Sequence, residues 1–167
     1  MEYTVRLEQR PAQPLAVVRH RATQQQLASV VPAACGTVWN VIRSQQVAGA
    51  GRHVALYWDC QDGQINLEVG VEVPQPFFGP NFRKPIRLIG PGEVIGSATP
   101  AGPVATTTHF GPYQQLAAAH EAIRQWCAVH GHTLAGPSWE VYGHWTDECN
   151  RDPAKIRTDV FYLLEPK

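Results

Sequence analysis

The sequence predicts an α+β fold made of two copies of one unit, in which two strands are followed by a helix and two further strands. Three observations predict it: a long-period internal repeat, short runs of alternating apolar and polar residues, and a stretch with helical apolar spacing in each half. The halves cover residues 3–73 and 94–165, and residues 74–92 join them. We expect the 167 residues to form a single domain.

The repeat is direct identity between residues 5–28 and residues 94–117. Aligned without a gap, VRLEQRPAQPLAVVRHRATQQQLA and VIGSATPAGPVATTTHFGPYQQLA agree at 10 of 24 positions. Small shifts extend the match toward the C-terminal end of each half, where Tyr57 pairs with Tyr142. We interpret the match as an internal duplication.

Period-two alternation predicts four strands in each half. They cover residues 3–8, 15–21, 54–59 and 65–73 in the first half, and residues 94–98, 104–110, 138–145 and 158–165 in the second. Two prolines and a glycine in residues 99–103 prevent regular pairing of the first two strands of the second half.

One helix is predicted in each half. The first covers about residues 24–44, and Pro32 is expected to kink or restart it. The second begins near Pro112 and ends at Gly131, which can adopt the left-handed conformation of a helix cap. The core anchors expected on these helices are Trp39 and Trp126.

The junction at residues 74–92 reads PQPFFGPNFRKPIRLIGPG and holds five prolines and three phenylalanines. One interpretation is a rigid connector whose phenylalanines pack on a sheet edge, and the other is a flap over a pocket. We favour the connector, because duplicated halves must be joined.

Composition excludes several classes of protein. Fourteen basic and fourteen acidic residues give no net charge, so the basic footprint of a nucleic-acid binder is missing. Nothing approaches the ~18 consecutive apolar residues of a membrane span, and the first residues do not form a signal peptide. The four cysteines have no paired spacing and are expected to be reduced, which indicates a cytoplasmic protein.

No motif indicates a metal or a cofactor. Cys127, His130 and His132 are close in sequence, but a helix end would point them in different directions, and no CxxC or HExxH spacing supports zinc. The sequence has no P-loop, no GxGxxG and no GxSxG. We therefore expect neither a metal nor a cofactor.

Two stretches of the second half resemble a known family. Residues 100–116 contain Pro100, Gly102, Ala105, His109, Gly111, Tyr113 and Leu116 in the spacing P-x-G-x-x-A…H-x-G-x-Y-x-x-L. Residues 136–142 read GPSWEVY. Together, and in this order on a duplicated frame, they closely resemble the GyrI-like family, which includes the effector-binding domains of AraC-type and MerR-type multidrug regulators.

The resemblance implies a pseudo-twofold α+β fold whose halves enclose a central ligand cleft with aromatic walls and one acid. Regulators of this family carry a helix-turn-helix domain ahead of this module, whereas this chain begins at the first strand of the module. We therefore expect that it is not a complete transcription factor of that type. Implied partners are a lipophilic or cationic small molecule and, as a protein, DNA gyrase or a regulator.

Glu140 is the main candidate site residue. Alternation places it with Tyr142 and His144 on one face of the strand over residues 138–145, and this face suits the cleft. Trp139 and Trp145 fall on the other face, which suits packing against helices. The alternative for Glu140 is a surface carboxylate paired with an arginine.

Further candidates come from symmetry and from the strand-to-helix corner. Tyr57 is the repeat partner of Tyr142, but Ala55 stands where a second acid would match Glu140. Glu68 and Glu72 share one strand face that either lines the cleft or, as we favour, is a solvated face. Trp58 is expected on the helix-facing side of its strand unless a bulge redirects it. The cleft walls expected at the corner are Phe110 and Tyr113.

The favoured function is non-enzymatic binding of amphipathic, cationic or polycyclic small molecules, for drug sensing, sequestration or modulation of a partner. A carboxylate in an apolar cleft needs a partner, and a ligand cation over aromatic rings can supply it. The alternative is a hydrolase that opens strained cyclopropane rings of DNA-alkylating natural products, with Glu140 as general base. A third interpretation is a protein-interaction module with a vestigial cleft.

Overall fold

The computed structural model describes residues 2–76 and 93–167, and it consists of two compact units. One unit, here the C-terminal unit, contains Met1–Pro11 and Ala101–Lys167, and the other, the N-terminal unit, contains Ala12–Pro100. The described strands and helices are β1 Arg6–Arg10, β2 Pro14–Ala22, α1 Leu27–Ser44, β3 His53–Gln61, β4 Gln64–Glu72, β5 Ile95–Ala98, β6 Gly102–Phe110, α2 Leu116–His130, β7 Leu134–Tyr142, α3 Asp147–Arg151 and β8 Arg157–Leu164. None of the described helices is long and apolar enough to cross a membrane. The α+β class predicted from the sequence is confirmed.

The N-terminal unit contains a four-stranded antiparallel sheet in the order β3-β4-β2-β5. Helix α1 contacts β2 and β4 and buries Ala34, Val38 and Ile42, which lie four residues apart and so share one helix face. A single 3₁₀ turn at Gln24–Gln26 precedes α1, and α1 then runs without a break through Pro32. The predicted restart at Pro32 is therefore wrong.

The C-terminal unit repeats this order of elements, with a sheet in the order β1-β6-β8-β7. Helix α2 packs against β6 and β8. The buried cluster beneath it contains Ala105, Leu116, Ala119, Ile123, Cys127, Val160, Tyr162 and Leu164. Gly131 ends α2 with φ +74°, the left-handed conformation expected of it.

The first strand of each half of the sequence, here called its leading strand, lies in the unit that contains the remaining strands of the other half. The leading strands are β1 and β5. β1 pairs with β6, and β5 pairs with β2. Prolines stand between each leading strand and the next one, and proline lacks the N–H that a hairpin needs, so neighbouring strands do not pair. The predicted halves, residues 3–73 and 94–165, therefore differ from the two units. A rotation near 180° between the halves stays a prediction.

Two further predictions concern the junction between the halves and the tryptophans of the two helices. The connector or flap at residues 74–92 falls mostly on residues 77–92, which lie outside the described residues. Trp39 is more than one-third exposed and Trp126 is half-buried, so Trp39 is wrong as a core anchor. Trp126 packs against the core cluster under α2, where its ring also stacks on His130 and His132.

Candidate functional site

Glu140 lies on β7, on the side of the sheet that faces α2. It is paired with Val160 of β8, and Val160 belongs to the core cluster under α2. Because paired residues of antiparallel strands point to the same face, the Glu140 side chain points toward the helix. Glu140 is only 6% exposed, and its Oε2 atom lies 2.6 Å from Nε2 of His120 on α2.

The two faces of β7 are therefore the reverse of the prediction. The face of Glu140 and Tyr142 is the helix-packed one, and Trp139 lies on the far face, where its ring stacks on Phe161 with centroids 5.4 Å apart. The guanidinium of Arg10 covers Phe161 at 4.8 Å from the ring centroid. The far face of β7 therefore also buries aromatic rings, through stacking and a cation–π contact. For this reason a tryptophan is accommodated on that face.

A chain of hydrogen bonds runs from the sheet to the helix through Glu140. The Tyr142 hydroxyl donates to Oε1 of Glu140 at 2.6 Å, and His120 bridges Oε2 of Glu140 and the Tyr162 hydroxyl, which lies 2.7 Å from Nδ1. Arg124, one turn after His120, donates from Nη1 to the Tyr162 oxygen at 2.9 Å. These hydrogen bonds hold Glu140 in one position and fix the ring of Tyr142 beside it.

The hydrogen atoms of this chain fit one tautomer of His120. Arg124 can only donate, so the Tyr162 oxygen accepts and its own O–H points at Nδ1 of His120. Nε2 then carries the hydrogen that is donated to Glu140. Burial raises the pKa of Tyr162, and the nearby charge of Glu140 raises it further, while Arg124 and Ser138 act in the opposite direction. The Tyr162 phenol therefore stays a hydrogen-bond donor at neutral pH.

A row of three aromatic rings begins at this carboxylate with Tyr142, whose hydroxyl bonds Glu140. Tyr113 meets Tyr142 edge to face with ring centroids 5.6 Å apart, and Trp145 lies 6.3 Å from Tyr113. Tyr113 is 41% exposed and Trp145 is 52% exposed. We call Glu140, His120, Tyr142, Tyr113 and Trp145 the Glu140 site.

Trp145 joins this site although alternation placed it on the opposite face. β7 ends at Tyr142, three residues before the end of the predicted strand, and the chain then leaves the sheet. Trp145 is oriented instead by its indole N–H, which donates to Oδ1 of Asn150 at 2.9 Å. His144 lies in the same non-strand stretch and is exposed, so its expected place beside Glu140 on the strand is wrong.

Phe110 ends β6 and has a ring that is 47% exposed. Within the described residues it makes no ring contact with Tyr113 or Tyr142. The structure therefore brings Glu140, Tyr142 and Tyr113 together as predicted, and leaves Phe110 and His144 on the surface of the same unit.

Tyr57 and Glu72 lie in the N-terminal unit. Tyr57 shares a face of β3 with His53, whose ring lies 5.9 Å from Trp39 of α1, so Tyr57 is on the helix side of its sheet. Glu72 accepts from Nε of Arg52 at 3.2 Å and from the Arg52 backbone N–H at 2.9 Å. An ion pair at the strand end is thus the structural role of Glu72.

Glu68 is buried, and its interpretation as part of a solvated face is wrong. Its carboxylate accepts from Nε of Arg19 at 2.9 Å and from the Ser97 hydroxyl at 2.5 Å. It lies on the face opposite Leu67 and lines a groove of about 430 Å³ together with Trp58. Trp58 follows Tyr57, which is on the helix side, and it lines the groove beside Glu68, so its predicted place on the helix-facing side is wrong.

Sequence reasoning missed His120, Arg124 and Tyr162. A signal was present, because His120 stands four residues after Leu116 and three before Ile123, on the apolar face of α2. A histidine and an arginine one turn apart, next to a buried face, indicate a polar partner inside the fold. For metals, no group of three His, Cys, Asp or Glu side chains in the described part of the chain could hold an ion.

The family model described as the GyrI-like small molecule binding domain matches residues 3–164. Among solved structures, the C-terminal domain of EcmrR is similar over all of both chains, with 19% identity and a TM-score of 0.74. EcmrR in its DNA complex matches with 21% identity and a TM-score of 0.68, and this chain spans 58% of it.

Two other solved structures show the same fold. SAV2435, solved bound to tetraphenylphosphonium, is 15% identical, with a TM-score of 0.66 and with 99% of this chain and 94% of that chain covered. A hydrolase from Listeria innocua is 11% identical, with a TM-score of 0.59 and 96% and 91% covered. No curated protein matches the sequence. Since the family match spans nearly the whole sequence, the chain belongs to the GyrI-like small-molecule-binding domain family.

Proposed function

We propose that the Glu140 site binds lipophilic organic cations, and that the protein acts by holding them. The observation that carries this proposal is a buried carboxylate joined to a row of three aromatic rings: Tyr142 bonds the carboxylate, Tyr113 contacts Tyr142, and Trp145 contacts Tyr113. A cation with aromatic or alkyl substituents matches both parts of this arrangement.

The carboxylate supplies the charge selection. Glu140 is held by hydrogen bonds from Tyr142 and His120, so it does not need to rearrange when a ligand arrives. A charge pair that forms away from water is worth more than one on the surface, because the local dielectric constant is lower. Cations are therefore favoured over neutral molecules of the same shape.

The rings supply most of the contact area. Tyr113 and Trp145 each expose about half of their surface, and a cation that lies within about 6 Å of such a ring gains roughly 0.5–2 kcal/mol per ring. The rings also cover aryl groups of the ligand by ordinary apolar contact, at about 25 cal/mol per Å². Neutral aromatic molecules should thus bind as well, but more weakly.

The comparisons support the class of ligand. The family is one of small-molecule binding domains, and the similar protein SAV2435 is solved with tetraphenylphosphonium, a lipophilic cation. EcmrR, whose C-terminal domain is similar, is solved in a DNA complex. The role that fits is drug sensing, sequestration, or modulation of a protein partner such as a regulator or DNA gyrase, without direct nucleic-acid contact and without a membrane.

The test is calorimetric titration with tetraphenylphosphonium and with triphenylphosphine oxide, a neutral molecule with the same aryl groups. We expect micromolar binding of the cation, about −8 kcal/mol. Glu140→Gln keeps the shape and should lower the cation affinity at least tenfold, about 1.4 kcal/mol, with a smaller effect on the oxide. Tyr142→Ala should weaken both ligands.

Asp159→Asn is the matched control. Asp159 is a buried acid on the neighbouring strand, paired with Val141, and it lies on the far face of the sheet. The Asp159→Asn substitution removes the same formal charge as Glu140→Gln, but it changes no residue of the Glu140 site. Equal losses of cation affinity in Glu140→Gln and Asp159→Asn would contradict the proposal, since they would show a general field effect instead of a contact.

A second candidate function is hydrolysis, and the Glu140–His120 hydrogen bond favours it. A carboxylate that His120 and Tyr142 hold in place can take a proton from a water molecule, which then attacks the substrate. The substrate class to test is a strained cyclopropane in a DNA-alkylating natural product, where water opens the ring. Ring opening faster than the uncatalysed rate, and lost in Glu140→Gln, would favour the enzyme over the binder.

A further inference from the structure

We propose that His109 is a positioning residue for Tyr113, and that Tyr3 near the N-terminus holds His109 in place. This inference deepens the proposed function and rests on it only where ligand affinity is concerned. It concerns a chain of contacts inside the C-terminal unit that runs from the N-terminal segment to an aromatic wall of the Glu140 site.

His109 is fully buried and uses both ring nitrogens. Nδ1 lies 2.8 Å from the Tyr3 hydroxyl, and Nε2 lies 3.1 Å from the carbonyl oxygen of Pro112. A carbonyl oxygen only accepts, so Nε2 carries a hydrogen and donates it to Pro112. In neutral His109, Nδ1 then accepts from the Tyr3 hydroxyl, and so Tyr3 selects the tautomer that bonds Pro112.

The carbonyl of Pro112 links His109 to the turn that carries Tyr113. The Pro112 carbonyl also accepts the backbone N–H of Gln115 at 3.0 Å, which closes the 3₁₀ turn Tyr113–Gln115. His109 therefore adds a second donor to the carbonyl that sets the position of this turn. The Tyr113 ring, presented by the turn, contacts Tyr142 and Trp145.

The backbone before the turn is shaped for the same contact. Gly111 has φ +140°, which side-chain-bearing residues rarely adopt, and a Cβ there would lie 3.3 Å from Nε2 of His109. The Gly111 N–H donates to the carbonyl of Ile156 at 2.8 Å. The corner is thus tied to the sheet on one side and to His109 on the other.

Tyr3 is itself anchored. Its ring packs against the core cluster under α2, and the carbonyl of the next residue, Thr4, accepts from the Thr107 hydroxyl at 2.7 Å. The strand that follows, β1, pairs with β6, which carries both Thr107 and His109. The N-terminal segment and the turn at Tyr113 are therefore two ends of one connected structure.

The consequence is a link between the N-terminal segment and the aromatic wall. When Tyr3 or His109 changes, the turn at Pro112 loses a donor and Tyr113 becomes free to leave its edge-to-face contact with Tyr142. Ligands that use Tyr113 should lose affinity about threefold to tenfold, although neither Tyr3 nor His109 belongs to the Glu140 site.

The first experiment needs no ligand. The protein is labelled with 3-fluorotyrosine, and the ¹⁹F resonance of Tyr113 is assigned with Tyr113→Phe. Tyr3→Phe, which keeps the ring and its packing, and His109→Gln should shift or broaden that resonance. Thr107→Val removes another hydrogen bond of the same N-terminal segment and serves as the control, with the resonance unchanged. An unchanged Tyr113 resonance in Tyr3→Phe would overturn the inference.

The second experiment is a double-mutant cycle with tetraphenylphosphonium. Tyr3→Phe should lower the affinity in the wild-type background and have no further effect in Tyr113→Ala, because it acts through that ring. Equal losses in both backgrounds would show a merely structural role and would contradict positioning. If the wild-type protein does not bind the cation, the proposed function fails, and the ¹⁹F result alone decides the positioning of Tyr113.

Discussion

Tyr142→Phe removes a single hydroxyl and leaves the ring that contacts Tyr113. In the wild-type protein this hydroxyl donates to Oε1 of Glu140 at 2.6 Å, and Glu140 is buried, with 6% exposure. Without this hydroxyl, Oε1 of the buried Glu140 loses one hydrogen bond, while the shape of the site stays the same. The substitution therefore isolates the contribution of one hydrogen bond to a buried charge.

The expected size follows from charge and burial. Hydrogen bonds to charged groups contribute about 1.5–3 kcal/mol, and since Tyr142 is only half-buried, water can replace part of the loss. We expect the free energy of unfolding to fall by about 1–2 kcal/mol. In a chain of this length, each kcal/mol corresponds to a decrease in Tm of about 2–4 °C.

The assay is urea unfolding of the wild type, Tyr142→Phe, Glu140→Gln and the double variant. A neutral amide is a weaker acceptor than a carboxylate, so Tyr142→Phe should cost about 0.5 kcal/mol in the Glu140→Gln background. The coupling energy between the two positions should thus be about 1 kcal/mol. Additive effects, with no coupling, would refute a charged Glu140 that depends on Tyr142.

Three further predictions concern the pKa of Tyr162, two glycines of the N-terminal unit and the Cys35 thiol. Arg124→Met removes two influences that lower the pKa of Tyr162, so its phenol should titrate at higher pH in ultraviolet difference spectra. Gly70→Ala would place a Cβ 1.8 Å from a backbone oxygen and should prevent folding, whereas Gly36→Ala, in open space on α1, should raise stability by about 0.5–1 kcal/mol in thermal unfolding. Burial raises the pKa of the Cys35 thiol to about 11, so alkylation at pH 8, followed by peptide mass spectrometry, should leave it largely unmodified.

The elements of the fold were predictable from local patterns. Helix α2 and its cap at Gly131 follow from apolar spacing and from a glycine that tolerates positive φ. The exchange of β1 and β5 between the halves was not predictable in this way, because strand pairing joins residues far apart in sequence. The prolines between each leading strand and the next one exclude a hairpin, but they do not say which other strand is the partner.

Three of the five residues of the Glu140 site, Glu140, Tyr142 and Tyr113, were predictable, but the orientation of β7 was not. Alternation correctly placed Glu140 and Tyr142 together. It assigned the wrong face to α2, because a tryptophan-bearing face usually packs against a helix, whereas Trp139 stacks on its strand neighbour Phe161 on the opposite side of the sheet from α2. When both faces of a strand are buried, apolar residues no longer identify the helix side.

Two contributions to the site depend on where elements end and how they pack. Trp145 reaches Tyr113 only because β7 stops at Tyr142, and strand ends are the least certain part of a pattern. His120 reaches Glu140 across the helix–sheet interface, a contact that depends on the packing of α2 on the sheet. Neither spacing nor composition contains that information.

The most direct test of the Glu140 site is a crystal structure of the protein grown with tetraphenylphosphonium. We expect density for the cation against Tyr113 and Trp145, with its phosphorus on the side of the Glu140 carboxylate and at least one ring centroid within about 6 Å of the cation. Glu140 should keep its hydrogen bonds to Tyr142 and His120. Density in the groove beside Glu68 with nothing at Glu140, or no density for the cation at saturating concentration, would contradict a cation site at Glu140.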